Sequence, residues 1–159
     1  MQTPDSKHIV YISLGSNLGD KKYNLEKAVN KIAGRAGSVS AVSSMYETEP
    51  WGYESPNTFF NMVVRLETSL SPTRLLKSAQ DIELEMGRTK KSIDSTYQDR
   101  IIDIDIILYD DLIMETQELI LPHPHFHKRK FVLEPLFEID PELIHPVLGI
   151  SIKEILQNI

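Results

Sequence analysis

Arg100-Ile101-Ile102-Asp103-Ile104-Asp105-Ile106-Ile107-Leu108-Tyr109 is the stretch that decides the fold, because its period of two reads as a strand. Residues two apart share a strand face, so Ile102, Ile104 and Ile106 enter one layer while Asp103 and Asp105 point together to the other. Working back from it, Ser71-Pro72 opens a helix with Pro at its first position. Leu75, Leu76, Ala79, Ile82 and Met86 make its apolar stripe, and Gly87 suits its exit. Before that helix, Thr58 to Thr68 is a strand with Phe60, Met62, Val64 and Leu66 on one side, and Ser38 to Tyr46 is a weaker one. Asp20 caps a helix running to about Gly34, with Leu25, Ala28, Val29, Ile32 and Ala33 on one face, and His8 to Leu14 is the first strand. The order strand, helix, strand, strand, helix, strand predicts an α+β fold: a ferredoxin-like βαββαβ core, mostly antiparallel, with helices on one face of the sheet. Beyond it come a C-terminal hairpin (Leu112 to Leu121) and a helical extension. The extension comprises a helix near His127 to Leu133 and a closing helix from Ser151, where Ser151 and Glu154 fit a capping box.

Residues 1–159 read as a single domain, since no repeat, low-complexity tract or linker interrupts them. With 41% apolar and 25% charged residues the composition is that of a globular chain. There is no cysteine, which excludes disulfides and thiolate chemistry. The first residues lack the pattern of a secretory signal and no apolar run approaches a membrane span, so a cytoplasmic protein without a membrane partner is expected. A net charge of −6 argues against a general nucleic-acid surface, while leaving room for a phosphorylated small ligand held by local cations.

Two like charges side by side on an isoleucine-rich strand repel unless a cation neutralises them, so Asp103 and Asp105 are candidate magnesium ligands. A solvated polar face is the plainer alternative. Arg88, Lys90, Lys91 and Arg100 precede this strand and Lys128, Arg129 and Lys130 follow it, a distribution suited to a polyphosphate shared between metal and guanidinium groups. His123, His125 and His127 alternate in PHPHFH. An extended backbone there would bring them to one side and raise a zinc site, hence a zinc-dependent hydrolase as a rival reading. A non-catalytic ligand-sensing module is a second rival. Gly15 to Asp20 is either a phosphate cradle or a structural turn, and it lacks the Gly-Lys-Ser/Thr of a P-loop. Glu47 to Asn57 and Arg88 to Asp99 show no apolar period and read as mobile loops. Trp51, Tyr53, Phe59, Tyr97 and Phe131, near Asn61, offer faces for a flat heterocycle.

These motifs together resemble the 6-hydroxymethyl-7,8-dihydropterin pyrophosphokinase family over nearly the whole chain. The matching pieces are YISLGSNLGD (Tyr11 to Asp20), YETEPWG (Tyr46 to Gly52), FFNMVV (Phe59 to Val64), EMGR (Glu85 to Arg88), RIIDIDIILY (Arg100 to Tyr109), and LPHP with KFVLEPL between Leu121 and Leu136. The resemblance implies transfer of the β,γ-pyrophosphate of ATP to the pterin hydroxymethyl oxygen, with release of AMP. It implies two Mg2+ ions on Asp103 and Asp105, and Arg88, Arg100, His123 and Arg129 on the ATP phosphates. Thr48, Phe59, Asn61, Tyr97 and Phe131 would line the pterin pocket, Asn61 reading the heterocycle's edge and Phe131 stacking on it. The chain departs from the family's common pattern at Glu49, Trp51, Tyr97, Asp99 and Pro124.

Overall fold

His8–Ser16 forms the central strand β1, and Asp20 then caps helix α1 (Lys21–Arg35) by accepting from the Tyr23 amide. The computed structural model describes residues 7–49, 57–87 and 101–159. Strands β2 (Ser38–Val42), β3 (Tyr46–Thr48) and β4 (Phe59–Thr68) follow, then α2 (Pro72–Glu85) and β5 (Asp103–Tyr109). A small hairpin of β6 (Met114–Glu115) and β7 (Ile120–Leu121) leads through a 3-10 turn (Phe126–Lys128) to α3 (Lys130–Ile139) and α4 (Ile152–Gln157). The main sheet runs β2-β4-β1-β5, with β3 also on β4, and each of these pairings is antiparallel. The fold is α+β.

Alternation along the strands sorts the apolar residues into two layers. Val10, Ile12 and Leu14 of β1 join Met62, Val64 and Leu66 of β4 and Ile104 and Ile106 of β5 beneath Leu25, Ala28 and Ile32 of α1 and Leu75, Ala79 and Ile82 of α2. On the opposite face Tyr11, Val63, Ile107 and Leu108 meet Val132, Leu133 and Leu136 of α3 and Ile152 and Ile155 of α4. The two helices of the βαββαβ core share one face, as expected, and the helices of the C-terminal extension cover the other. The strongly apolar sequence of α3 needs a second layer to bury against.

Four boundaries differ from expectation. The strand expected over Ser38 to Tyr46 is broken at Ser43, whose hydroxyl accepts the Val63 amide while its own amide donates to the Val63 carbonyl. A side-chain oxygen takes the place of a backbone partner there, and the ladder resumes only at Tyr46. β5 begins at Asp103, where pairing with β1 begins at Gly15. The helix expected near His127 lies later, at Lys130–Ile139. Glu47 and Thr48, read as loop, belong to β3. In α1, Ala33 is exposed and Asn24 takes its place inward, donating to the Ser16 hydroxyl and the Leu18 carbonyl. The Ser151–Glu154 capping box is present.

The turn from α1 into β2 depends on a missing side chain. A Cβ on Gly37 (φ +156°) would sit 2.2 Å from the backbone oxygen of Glu67, on the strand that β2 joins. Gly37→Ala is expected to cost about 2 kcal/mol or more, read as a lower urea midpoint, because backbone atoms must move. An unchanged midpoint would show that the junction is less tight than this contact implies.

Candidate active site

The register of three adjacent strands lays a polar row across the second face. Gly15 of β1 pairs with Asn61 of β4 on one side and Asp103 of β5 on the other, and Asn61 pairs outward with Tyr46 of β3. One step along, Ser13 pairs with Val63 and Asp105. Asp103 is half-buried and Asp105 exposed, whereas Asn61 is 4% exposed. Gly15 puts no side chain between the amide and the carboxylate, and its neighbours close over it, since a Cβ there would lie 3.2 Å from Asn61 Oδ1 and 3.5 Å from the Phe59 ring.

Side chains and turns hold the edges of this floor. Asn61 Nδ2 donates to Thr48 Oγ1 at 2.7 Å, which sets the orientation of its amide. Glu83 of α2, 8% exposed, accepts the Ile104 amide at 2.8 Å and so fixes the backbone between the two aspartates. The His123 amide donates to the Ile107 carbonyl at 2.9 Å, which pins that histidine beside β5. His123 Nδ1 accepts the His125 amide at 3.1 Å, so the ring is neutral with its proton on Nε2, an arrangement assigned from the hydrogen bonding. Arg129 lies over the Phe131 ring, 5.7 Å from its centroid, and Phe131 packs at the rim of the second layer.

Of the residues singled out from sequence, Thr48, Phe59, Asn61, Asp103 and Asp105 share this one sheet face, with His123, Arg129 and Phe131 on the segments that border it. Arg88, Arg100, Tyr97, Trp51, Tyr53, Lys90, Lys91 and Asp99 lie outside the described residues. The extended path that would bring His123, His125 and His127 to one side is not found. The chain turns after Pro124 into the 3-10 turn, His127 faces His145 edge-on at 5.8 Å, and His125 is exposed. Among the described residues no group of three or more His, Cys, Asp or Glu side chains is placed to hold a metal. The zinc reading therefore loses its geometry. Gly15 and Ser16 end β1, and the turn into α1 runs from Asn17 to the cap Asp20, with Ser16 and Asn17 buried and Gly19 at φ +69°. Glu83 escaped notice in the sequence because it sits beside Ile82 at the border of the apolar stripe of α2. Its only sequence signal is an acid on that border.

A model of the 7,8-dihydro-6-hydroxymethylpterin-pyrophosphokinase family matches residues 11–141. The chain belongs to this family. Its activity is pyrophosphate transfer to hydroxymethyldihydropterin, in folate biosynthesis. The 2-amino-4-hydroxy-6-hydroxymethyldihydropteridine pyrophosphokinase of Porphyromonas gingivalis is 48% identical over 139 residues, covering 87% of this chain and 94% of that one. The protein of the same name from Bacillus subtilis is 46% identical over 133 residues, 83% of this chain and 78% of the other. The folic acid synthesis protein fol1 of Schizosaccharomyces pombe is 40% identical over 95% of this chain, which spans 20% of its length. In structure, the wild-type HPPK-DHPS of Plasmodium falciparum superposes with a TM-score of 0.77 over 99% of this chain and 44% of that one. At 17% identity it speaks to the fold alone.

In this member of the pyrophosphokinase family three histidines, His123, His127 and His145, lie below the ordinary imidazole range. Burial, then the Arg129 charge and the neighbouring His125 and His127, hold His123 down to about 4. Burial also lowers His127, with Lys128 and His125 adding to it, and lowers His145, with His127 adding to it. The unfolded chain takes up these protons more readily, so stability is complete above the ordinary histidine value and is lost as pH falls towards 4. Urea unfolding is expected to show a loss of roughly 1–2 kcal/mol between about pH 7 and about pH 4.5. Most of it comes from His123, because solvent screens the more exposed His127, and His123→Asn should remove part of the slope. A profile that is flat through this window, with no change in the variant, would contradict the assignment.

Proposed function

We propose that the chain moves the β,γ-pyrophosphate of ATP to the hydroxymethyl oxygen of 6-hydroxymethyl-7,8-dihydropterin and releases AMP, with Asp103 and Asp105 as the metal ligands. The observation that carries this reading is the row Asn61–Gly15–Asp103. An amide suited to a heterocycle's polar edge and a carboxylate suited to a cation lie two strand spacings apart, roughly 10 Å, with only a glycine between them. That separation is comparable with the reach of a pterin from its aminopyrimidine edge to its hydroxymethyl oxygen.

The donor set fits magnesium. Two carboxylates on one face are hard oxygen donors, and magnesium commonly takes one or two such groups and completes its shell with phosphate oxygens and water. Two Mg2+ ions bound with ATP would neutralise phosphate charge and lower the pKa of the attacking hydroxyl. The chain's own residues orient the two substrates. Thr48 and Asn61 hold the pterin edge, Phe59 and Phe131 flank its ring, and His123 donates from Nε2 to the polyphosphate beside Arg129. Arg88, Arg100 and Tyr97 enter on the family resemblance, the arginines at the phosphates and the tyrosine at the pterin. Such a transfer needs positioning and charge neutralisation more than a covalent nucleophile. The strand order β2-β4-β1-β5 supports reading the core as ferredoxin-like. Residues 1–159 are taken as one cytoplasmic domain acting without a nucleic-acid or membrane partner. Among the described residues no helix is long and apolar enough to cross a membrane.

The test is magnesium-dependent AMP formation, with and without hydroxymethyldihydropterin. Asp103→Asn and Asp105→Asn each keep side-chain size and should lower the rate on the order of a hundredfold, with folding preserved. Near-full activity in both variants would remove the metal assignment. A second variant probes the gap in the row. Gly15→Ala pushes a methyl towards Asn61 and Phe59 and should weaken pterin binding by roughly 1–2 kcal/mol in calorimetry, with ATP affinity retained. Equal loss for both ligands would place the pterin elsewhere.

A further inference from the structure

Glu138 has no part in the chemistry above, yet both of its carboxylate oxygens are engaged by one short segment. It stands in the last turn of α3, the helix that carries Phe131 in its first turn. The Ser44 amide donates to Oε2 at 2.9 Å and to Oε1 at 3.1 Å, the Ser44 hydroxyl donates to Oε2 at 3.0 Å, and the Tyr46 hydroxyl donates to Oε1 at 2.6 Å.

That segment spans the break between β2 and the first residue of β3, and no strand pairing involves Ser44 or Met45. On its α1 side lies an open cavity of about 540 Å³ lined by Val29, Asn30, Val42, Ser43, Met45 and Met62. Strand β3 itself meets β4 through three residue pairs, Tyr46 with Asn61, Glu47 with Phe60 and Thr48 with Phe59. The position of Thr48, and through it the orientation of the Asn61 amide, then depends on what holds Ser44 and Tyr46 from the other side. Charge-assisted hydrogen bonds to an anchored carboxylate are the strong kind. Partial burial, the largest influence on Glu138, pushes its carboxyl up, but the bonds from Tyr46 and Ser44 outweigh it and bring it below the usual range. The same contact, followed by burial, pushes the Tyr46 hydroxyl up to about 12.

We infer that Glu138 is a positioning residue for pterin recognition, tying the helix that bears Phe131 to the strand that aims Thr48 and Asn61. The inference rests on the assignment of Thr48, Asn61 and Phe131 to the pterin. It is tested with Glu138→Ala, Glu138→Gln, Tyr46→Phe and a control, Asn61→Ala, by steady-state AMP formation at varied pterin and varied ATP together with thermal midpoints. Glu138→Ala is expected to raise the KM for the pterin roughly tenfold, the equivalent of one charge-assisted hydrogen bond, and to leave the KM for ATP within about twofold. Glu138→Gln, which keeps one acceptor oxygen, should fall between, and Tyr46→Phe should add little to Glu138→Ala. If Glu138→Ala does not fold, Glu138→Gln and Tyr46→Phe carry the same KM comparison. An unchanged pterin KM in the Glu138 variants, while Asn61→Ala raises it, overturns the inference and leaves the pterin site standing. Rises in both KM values that track the loss in thermal midpoint reduce Glu138 to a structural role and also overturn it. If Asn61→Ala itself leaves pterin KM unchanged, the pterin assignment falls and the role of Glu138 falls with it.

Discussion

The register of β1 against its two neighbours is the constraint on which the rest of the structure depends. All nine residues of β1 pair with β4, and the stretch Val10 to Gly15 also pairs with β5. This register places Val10, Ile12 and Leu14 under α1 and α2 and, by the same alternation, brings Asn61, Gly15 and Asp103 into line on the opposite face. A slip of one residue in one pairing would turn every side chain of the shifted strand over. It would bury a carboxylate or expose a row of isoleucines. Core and site are two readings of one alignment, so the energy that buries the first also enforces the second.

One irregularity lets a single strand serve both. Between Tyr11 and Ile12 the pairing of β1 with β5 shifts by a residue, with Ile12 opposite Ile106 and Tyr11 opposite Leu108. The extra residue, Ile107, allows Ile107 and Leu108 to enter the same layer, where both pack towards α3. The face that presents Asp103 and Asp105 at one end of β5 is thereby apolar at the other. Helix α3 covers the apolar end and leaves the polar end accessible. The open part of the second face is set by where the bulge falls.

Where the ladders stop, side chains take over from backbone pairing. Glu83 takes an amide of β5, and Ser43 exchanges bonds with Val63 at the break in the outer strand. Glu138 holds the resumed strand from the other layer. Each of these is a polar group whose partner is far away in sequence. A sheet end needs such contacts because its outer amides and carbonyls would otherwise lack partners.

The sequence by itself determined the alternation that makes Asp103 and Asp105 neighbours, the helix caps at Asp20, Ser71 and Ser151, and the antiparallel α+β order of elements. These depend on local periodicity and on side chains that bond within a few residues, so they are legible without knowing what packs where. Phe59, Phe131 and Asn61 stand out as ring faces and a polar edge, whereas Thr48 and the assignment of all four to one pocket come from the family resemblance, since no spacing in the chain expresses their meeting. Tertiary structure alone decided the rest. It placed α3 and α4 on the second face, ended the shared path of the three histidines at Pro124, and split the outer strand at Ser43. It also set Glu83 and Glu138 against backbone 21 and 94 residues away. Two-residue and four-residue periods record which face a side chain takes, and carry no information about which distant amide will come to meet it. That partner is chosen only when the strands align and the helices settle on them.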